Sequence, residues 1–170
     1  MTPKIVGAVM ILTACGAMGL SVASNHRQKE RMLRQLISLT ELMSCELQYR
    51  QTALPQLMQL CKRQSGGQIS EIFSAMEREL DRQVAPDAAT CMATVLETGP
   101  QLPDMVKEKL SILGNSLGRF DLAGQLSGLE TVAQLCRREL DGLLLNRDAR
   151  LRSYTTLALC AGAALVILFI

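Results

Sequence analysis

The sequence predicts an all-α fold: an antiparallel helical bundle carried between two transmembrane helices. Three observations lead to this prediction, namely the composition, the spacing of apolar residues in the middle of the chain, and an uncharged apolar segment near each end. The 170 residues include no tryptophan and three phenylalanines, and residues that favour helices outnumber strand formers. This length suits one domain of ordinary size.

The two apolar segments are the basis of the membrane prediction. Residues 5–23 and 154–170 contain no charged side chain. A helix of the first length would extend roughly 28 Å, close to the hydrocarbon thickness of a bilayer, and the second is near the shortest length that spans. We therefore predict transmembrane helices at 5–23 and 154–170, a short extracytoplasmic N-terminus at 1–4, and a domain at 24–153.

Basic residues flank both apolar segments on the side of the central domain. They are Arg27, Lys29, Arg31 and Arg34 after the first segment, and Arg147, Arg150 and Arg152 before the second. Because cytoplasmic flanks carry an excess of Lys and Arg, this pattern predicts a cytoplasmic central domain with both termini outside, in the cell membrane.

An alternative topology starts from Cys15. The residues Leu12-Thr13-Ala14-Cys15 resemble a bacterial lipobox, which would make residues 5–12 a signal-peptide core, lipidate Cys15 and export the domain as a helical lipoprotein or binding module. The apolar run continues past Cys15 to Ala23, and Lys4 is the one charged side chain before it. These two features favour the transmembrane prediction.

The titratable residues do not form a recognisable catalytic or metal-binding pattern. The cysteines at 15, 45, 61, 91, 136 and 160 include no C-x-x-C pair, so we predict small buried side chains in a reducing compartment. The one histidine, His26, weakens any two-histidine metal site or Ser-His scheme. We predict no enzyme activity and no cofactor, and the net charge of +2 argues against nucleic-acid binding.

Apolar repeats predict helices throughout the central domain. A stripe at steps of three and four from Met32 to Leu47 indicates a helix over about 26–50. Thr52 is expected to cap a second helix that has Pro55 in its first turn. The same reasoning predicts a third helix marked by Ile69–Leu80, a fourth starting at 85–87, a fifth over about 103–117, and a sixth that begins near Asp121, faces Leu122 inward and continues into the second span.

Residues 113–130, LGNSLGRFDLAGQLSGLE, contain four glycines. No lysine follows Gly118 as in a phosphate-binding loop, and no strand precedes the stretch as in a dinucleotide fold. Glycines four apart on a helix let another backbone approach closely, so we predict a tight helix–helix corner. Gly118 is expected to be a left-handed cap and Asp121 to cap the next helix. A contact surface for a partner protein would use the same geometry, so this alternative interpretation is kept.

This stretch, together with RQLISLTELMSCELQYRQTALPQL at 34–57, closely resembles the stage III sporulation protein AB family of endospore-forming bacteria. The family tends to have Thr-Pro-Leu where this chain has Thr52-Ala53-Leu54-Pro55. Its L-G-x-x-L-G-x-x-D-x-x-x-Q pattern gives the candidate residues for the helix corner or partner contact: Leu113, Gly114, Leu117, Gly118, Asp121 and Gln125.

The resemblance implies a role that the residues alone do not give. It implies a platform or adaptor subunit of the mother-cell-to-forespore channel, required for sporulation, with a helical domain similar to those of the type II secretion platform protein F. The implied partners are the cytoplasmic ATPase, stage III sporulation protein AA, and the other stage III A channel proteins. A homo-oligomer is also expected to be possible.

Overall fold

The computed structural model describes the backbone of residues 2–82, 87–118 and 121–169, and the side chains of residues 24–82, 87–118 and 121–145. The chain divides into two compact units. One comprises Met1–Glu30 with Asp141–Ile170, and the other, which we call the helical body, comprises Arg31–Leu140.

Helices account for the described secondary structure. They are α1 (Thr2–Cys45), a π-helical turn (Glu46–Arg50), α2 (Leu54–Gln64), α3 (Gly67–Arg82), α4 (Ala88–Thr98), α5 (Asp104–Ser116) and α6 (Leu122–Phe169). No strand occurs in the described backbone. The predicted all-α class is confirmed, and the sixth helix continues into the second apolar segment, to Phe169, as predicted.

The predicted transmembrane helices lie in the parts of the chain outside the helical body. Within the part of the chain that the structure describes, none of the helices combines the length and apolar character that crossing a bilayer requires. The predicted spans at 5–23 and 154–170 lie outside the residues whose side chains are described, as do Arg147, Arg150 and Arg152.

The core of the helical body is aliphatic and rich in methionine. The predicted stripe on α1 is buried along its length, from Met32 to Leu47, and α3 adds Phe73 and Met76. Because an unbranched thioether side chain adapts to irregular gaps, methionines such as Met92 of α4 fill the space between helices that cross. Burial of these side chains is the main favourable contribution to folding of the body.

Short connections join the helices. Two residues, Ser65 and Gly66, separate α2 from α3, and the Ser65 hydroxyl donates to the Cys61 carbonyl 2.7 Å away. Lys62 of α2 lies 3.0 Å from Glu77 of α3. Asp87 accepts a hydrogen bond from the Thr90 backbone N–H at 2.8 Å and so caps α4. Helices α3, α4 and α5 then pack in sequence order.

The end of α1 corrects one prediction. Thr52 does not cap α2: the cap position is Ala53, and the Thr52 hydroxyl instead donates to Glu46 Oε2 at 2.8 Å. The Gln51 N–H bonds to the Glu46 carbonyl, which closes a π turn and places Gln51 at φ 49°. Pro55 lies in the first turn of α2 as predicted, where a missing N–H costs no hydrogen bond.

The cysteines divide between the core and the surface. Cys61, Cys91 and Cys136 are buried free thiols, as predicted, and burial raises the pKa of Cys61 to about 12. Cys45 is exposed, so the prediction of a buried side chain was wrong there. It lies two residues after buried Met43 and two before buried Leu47, on the opposite side of the helix. Cys15 and Cys160 lie outside the described side chains.

Candidate functional site

The candidate site is the corner between α5 and α6, which we define as residues 113–118 and 121–130. Helix α5 ends at Ser116, and the Leu117 N–H donates to the Leu113 carbonyl at 3.2 Å. Gly118 follows with φ 75°, a left-handed conformation that glycine adopts without steric cost. The predicted left-handed cap is confirmed. Residues 119 and 120 lie outside the described residues.

Asp121 starts α6. Its carboxylate accepts a hydrogen bond from the Gly124 N–H at 3.1 Å, and its carbonyl accepts from the Gln125 N–H at 2.9 Å. The negative charge also lies at the positive end of the helix dipole, which stabilises α6 further. The predicted N-cap is therefore confirmed, and its carboxylate is exposed to solvent.

Two other glycines of the corner mark close approaches between helices. A Cβ atom at residue 114 would lie 2.5 Å from the Met92 Cβ of α4, and one at residue 128 would lie 2.5 Å from the Ser116 Cβ. Neither position has room for a methyl group unless a neighbouring helix shifts. The glycines thus serve packing at 114 and 128 and chain reversal at 118, which matches the predicted tight corner.

The six candidate residues differ in their access to solvent. Leu113, Gly114 and Leu117 are buried inside the body, where they hold α5 in place. Gly118 and Asp121 are exposed and Gln125 is half-buried. A partner could therefore reach the second half of the pattern directly, whereas the first half would act by fixing the geometry of the surface.

The corner also includes apolar side chains that the sequence did not place there. Leu54 Cδ2 of α2 lies 3.8 Å from the Cβ position of Gly118, so the start of α2 adjoins the turn. Leu122, which we predicted to face inward, is 39% exposed, because its place in the first turn of α6 lies beyond the buried stripe that begins at Leu129. The outer surface of the corner thus combines an exposed leucine with the Asp121 carboxylate.

The sequence did not predict that α5 contains a buried lysine. Lys109 is 5% exposed, and its Nζ lies 3.1 Å from the carboxylate of Glu108. Burial raises the pKa of the Cys136 thiol of α6 to about 11. The positive charge of nearby Lys109 acts in the opposite direction and lowers this pKa. The spacing of Lys109, three residues after buried Val106, was the signal that could have identified it.

Within the described residues, no three side chains of His, Cys, Asp or Glu lie close enough together to hold a metal ion. The acidic residues Asp104 and Asp121 lie on the surface. Every buried side-chain nitrogen or oxygen in the described part of the body has a hydrogen-bond partner.

Comparison with known proteins gives a consistent result. Stage III sporulation protein AB of Bacillus subtilis (strain 168) is 27% identical over 125 residues, which amount to 72% of this chain and 72% of that protein. A solved structure of a stage III sporulation protein AB has a TM-score of 0.61 at 22% identity and covers 72% of this chain and 98% of its own, which shows a shared fold.

The family match extends over almost the whole sequence. The family described as Stage III sporulation protein AB matches residues 4–170, a range that includes the corner, the helical body and both apolar segments. The chain therefore belongs to the stage III sporulation protein AB family, and its role lies in sporulation.

Proposed function

We propose that this chain is a non-enzymatic, membrane-anchored adaptor of the channel between mother cell and forespore, and that its helical body docks a cytoplasmic secretion-type ATPase, stage III sporulation protein AA. The observation that carries the proposal is the family match over residues 4–170. In this proposal residues 5–23 and 154–170 are the anchors, and residues 24–153 lie in the mother-cell cytoplasm.

The geometry of the corner supports a docking role. A surface that passes on the movement of a motor must keep its shape, and the packing of Gly114 on Met92 and of Gly128 on Ser116 allows little adjustment. Asp121, Gln125 and Leu122 then form the accessible part of a fixed surface. A charged and an apolar group side by side give a partner both orientation and buried area.

Docking can be tested by the share of the ATPase that sediments with membranes of sporulating cells. We expect that share to fall in the absence of this chain and to fall with Asp121→Arg, which reverses an exposed charge. Asp121→Asn is the matched control, because asparagine also caps helices but carries no charge. Unchanged sedimentation of the ATPase in cells that lack the chain would refute docking.

Topology can be tested through the exposed thiol of Cys45. A membrane-impermeant maleimide applied to intact cells should leave Cys45 unmodified and should modify it after permeabilisation, with Cys45→Ser as the control for other thiols. Modification in intact cells would place the body outside and favour the alternative lipoprotein lipidated at Cys15.

A further inference from the structure

An open groove of about 430 Å³ runs between α3 and the end of α4. The wall from α4 is formed by Val95 and by residues 98–100. The wall from α3 is a stripe at steps of three and four, which therefore lies on one face of the helix. We call this set the α3 stripe: Glu71, Ser74, Ala75, Arg78, Glu79 and Arg82.

Two charges of the α3 stripe have no partner among the residues whose side chains are described. Glu79 and Arg82 pair with each other at 3.2 Å. Glu71 and Arg78 are both exposed, and neither forms an ion pair or a hydrogen bond with any residue whose side chain is described. They are seven residues apart on the same face, about 10 Å along the helix axis.

The members of the α3 stripe between Glu71 and Arg78 are small. Ser74 and Ala75 are half-buried and lie midway between Glu71 and Arg78. Small side chains at a crossing point allow two helices to approach closely. The stripe therefore has an acid at one end, a base at the other, and a low region in the middle.

We propose that the α3 stripe is a contact between two copies of this chain, in which the two α3 helices lie antiparallel about a two-fold axis between Ser74 and Ala75. In that arrangement Glu71 faces the partner subunit's Arg78, and Arg78 faces the partner subunit's Glu71. A two-fold contact requires a self-complementary surface, and the order of charges along α3 provides it.

The charge balance favours a second copy over other occupants. The stripe has two acids and two bases, so it does not attract a strongly acidic or strongly basic partner. A parallel copy would place like charges side by side. Because exposed ion pairs contribute little each, the dimer is weak and forms where the local concentration of the chain is high.

Crosslinking of the full-length chain in membranes of sporulating cells tests the arrangement. Ser74→Cys lies beside the proposed axis, so a short bis-maleimide should link two copies into a dimer. The background is Cys45→Ser, which removes the exposed thiol among the cysteines whose side chains are described. Thr131→Cys is the matched control, because residue 131 is exposed on α6 outside the groove.

Charge reversal then tests the register. Each substitution acts twice in a two-fold dimer, so Glu71→Lys alone and Arg78→Glu alone should each lower the dimer yield, by roughly fivefold to tenfold. The double variant, Glu71→Lys with Arg78→Glu, restores complementarity and should recover the yield. Both residues lack partners within the described body, so the substitutions leave folding unchanged.

Four results would overturn the proposal. One is single variants that crosslink as well as the parent, and another is a double variant that fails to recover. The third is a Ser74→Cys product that contains a different protein, which would make the groove a site for another partner. A dimer from Thr131→Cys at equal yield would show mere proximity in the membrane and would also refute it.

Discussion

Replacement of Gly114 by alanine adds one methyl group at the closest approach between α4 and α5. The new Cβ would lie 2.5 Å from the Cβ and 2.9 Å from the Cγ of Met92, with the Ala88 carbonyl oxygen at 3.5 Å. The nearest atom is the first carbon of the Met92 side chain, which cannot rotate away. The two helices must therefore separate.

Two opposing effects set the magnitude. Forcing an extra carbon into a well-packed interior costs about 1–3 kcal/mol. Alanine in place of glycine inside a helix favours the folded state by about 0.5–1 kcal/mol. We therefore expect Gly114→Ala to lower the free energy of unfolding by roughly 1–2 kcal/mol, equivalent to about 2–8 °C in Tm for a chain of this size.

The assay is thermal unfolding of the full-length chain in mild detergent, followed by far-ultraviolet circular dichroism. Gly142→Ala is the matched control, because residue 142 also lies within a helix and a Cβ there meets nothing within 4 Å. The control should raise Tm slightly through helix propensity alone. If Gly114→Ala is as stable as Gly142→Ala, the close approach of α4 and α5 is wrong.

The remaining predictions concern a cap, two thiols and an ion pair. Asp121→Ala should lower the free energy of unfolding by about 1 kcal/mol, with Asp121→Asn close to the parent, in the same unfolding assay. At neutral pH, maleimide should modify exposed Cys45 quickly and buried Cys61 only on unfolding; simultaneous modification, followed by mass spectrometry, would contradict the burial. The pKa of Cys61 is raised from 9.0 to about 12 in the folded chain, so the unfolded chain loses the thiol proton at lower pH. The free energy of unfolding, measured by urea unfolding, should therefore fall as pH rises from 9 towards 12. Arg137→Ala breaks the ion pair between Arg137 and Glu41, whose side chains are 55% and 57% exposed, respectively. The free energy of unfolding should change by less than about 1 kcal/mol, and a larger loss would show that the pair is shielded from water.

Repeating patterns predicted most of the fold because they are local. The stripe from Met32 to Leu47 needs only the helical period to face the core, and all of it is buried. The turn at Gly118 and the cap at Asp121 follow from the chemistry of single residues. Elements whose structure depends on neighbours within a few positions could therefore be predicted.

The predictions that failed were overruled by side-chain contacts, by position on the helix, or by packing between helices. Thr52 is a residue type that often caps helices, but its hydroxyl donates a hydrogen bond to the Glu46 carboxylate across the π turn instead. Cys45 suggested a buried position by residue type, whereas its helical position faces solvent. The approach of Leu54 to the corner arises from packing between helices, which no local pattern indicates. The burial of Lys109 fits its spacing on α5 but not its residue type.

The π turn at Glu46–Arg50 has a consequence for the length of the chain. A π turn closes around one residue more than an α turn, so the segment stores a single surplus residue. Leu47 is buried there, whereas Gln48, Tyr49 and Arg50 face solvent. Deletion of Gln48 would convert the segment into an ordinary helical turn and leave the packing of α1 up to Met43 in place. The chain can therefore lose a residue at this point while the interior stays the same.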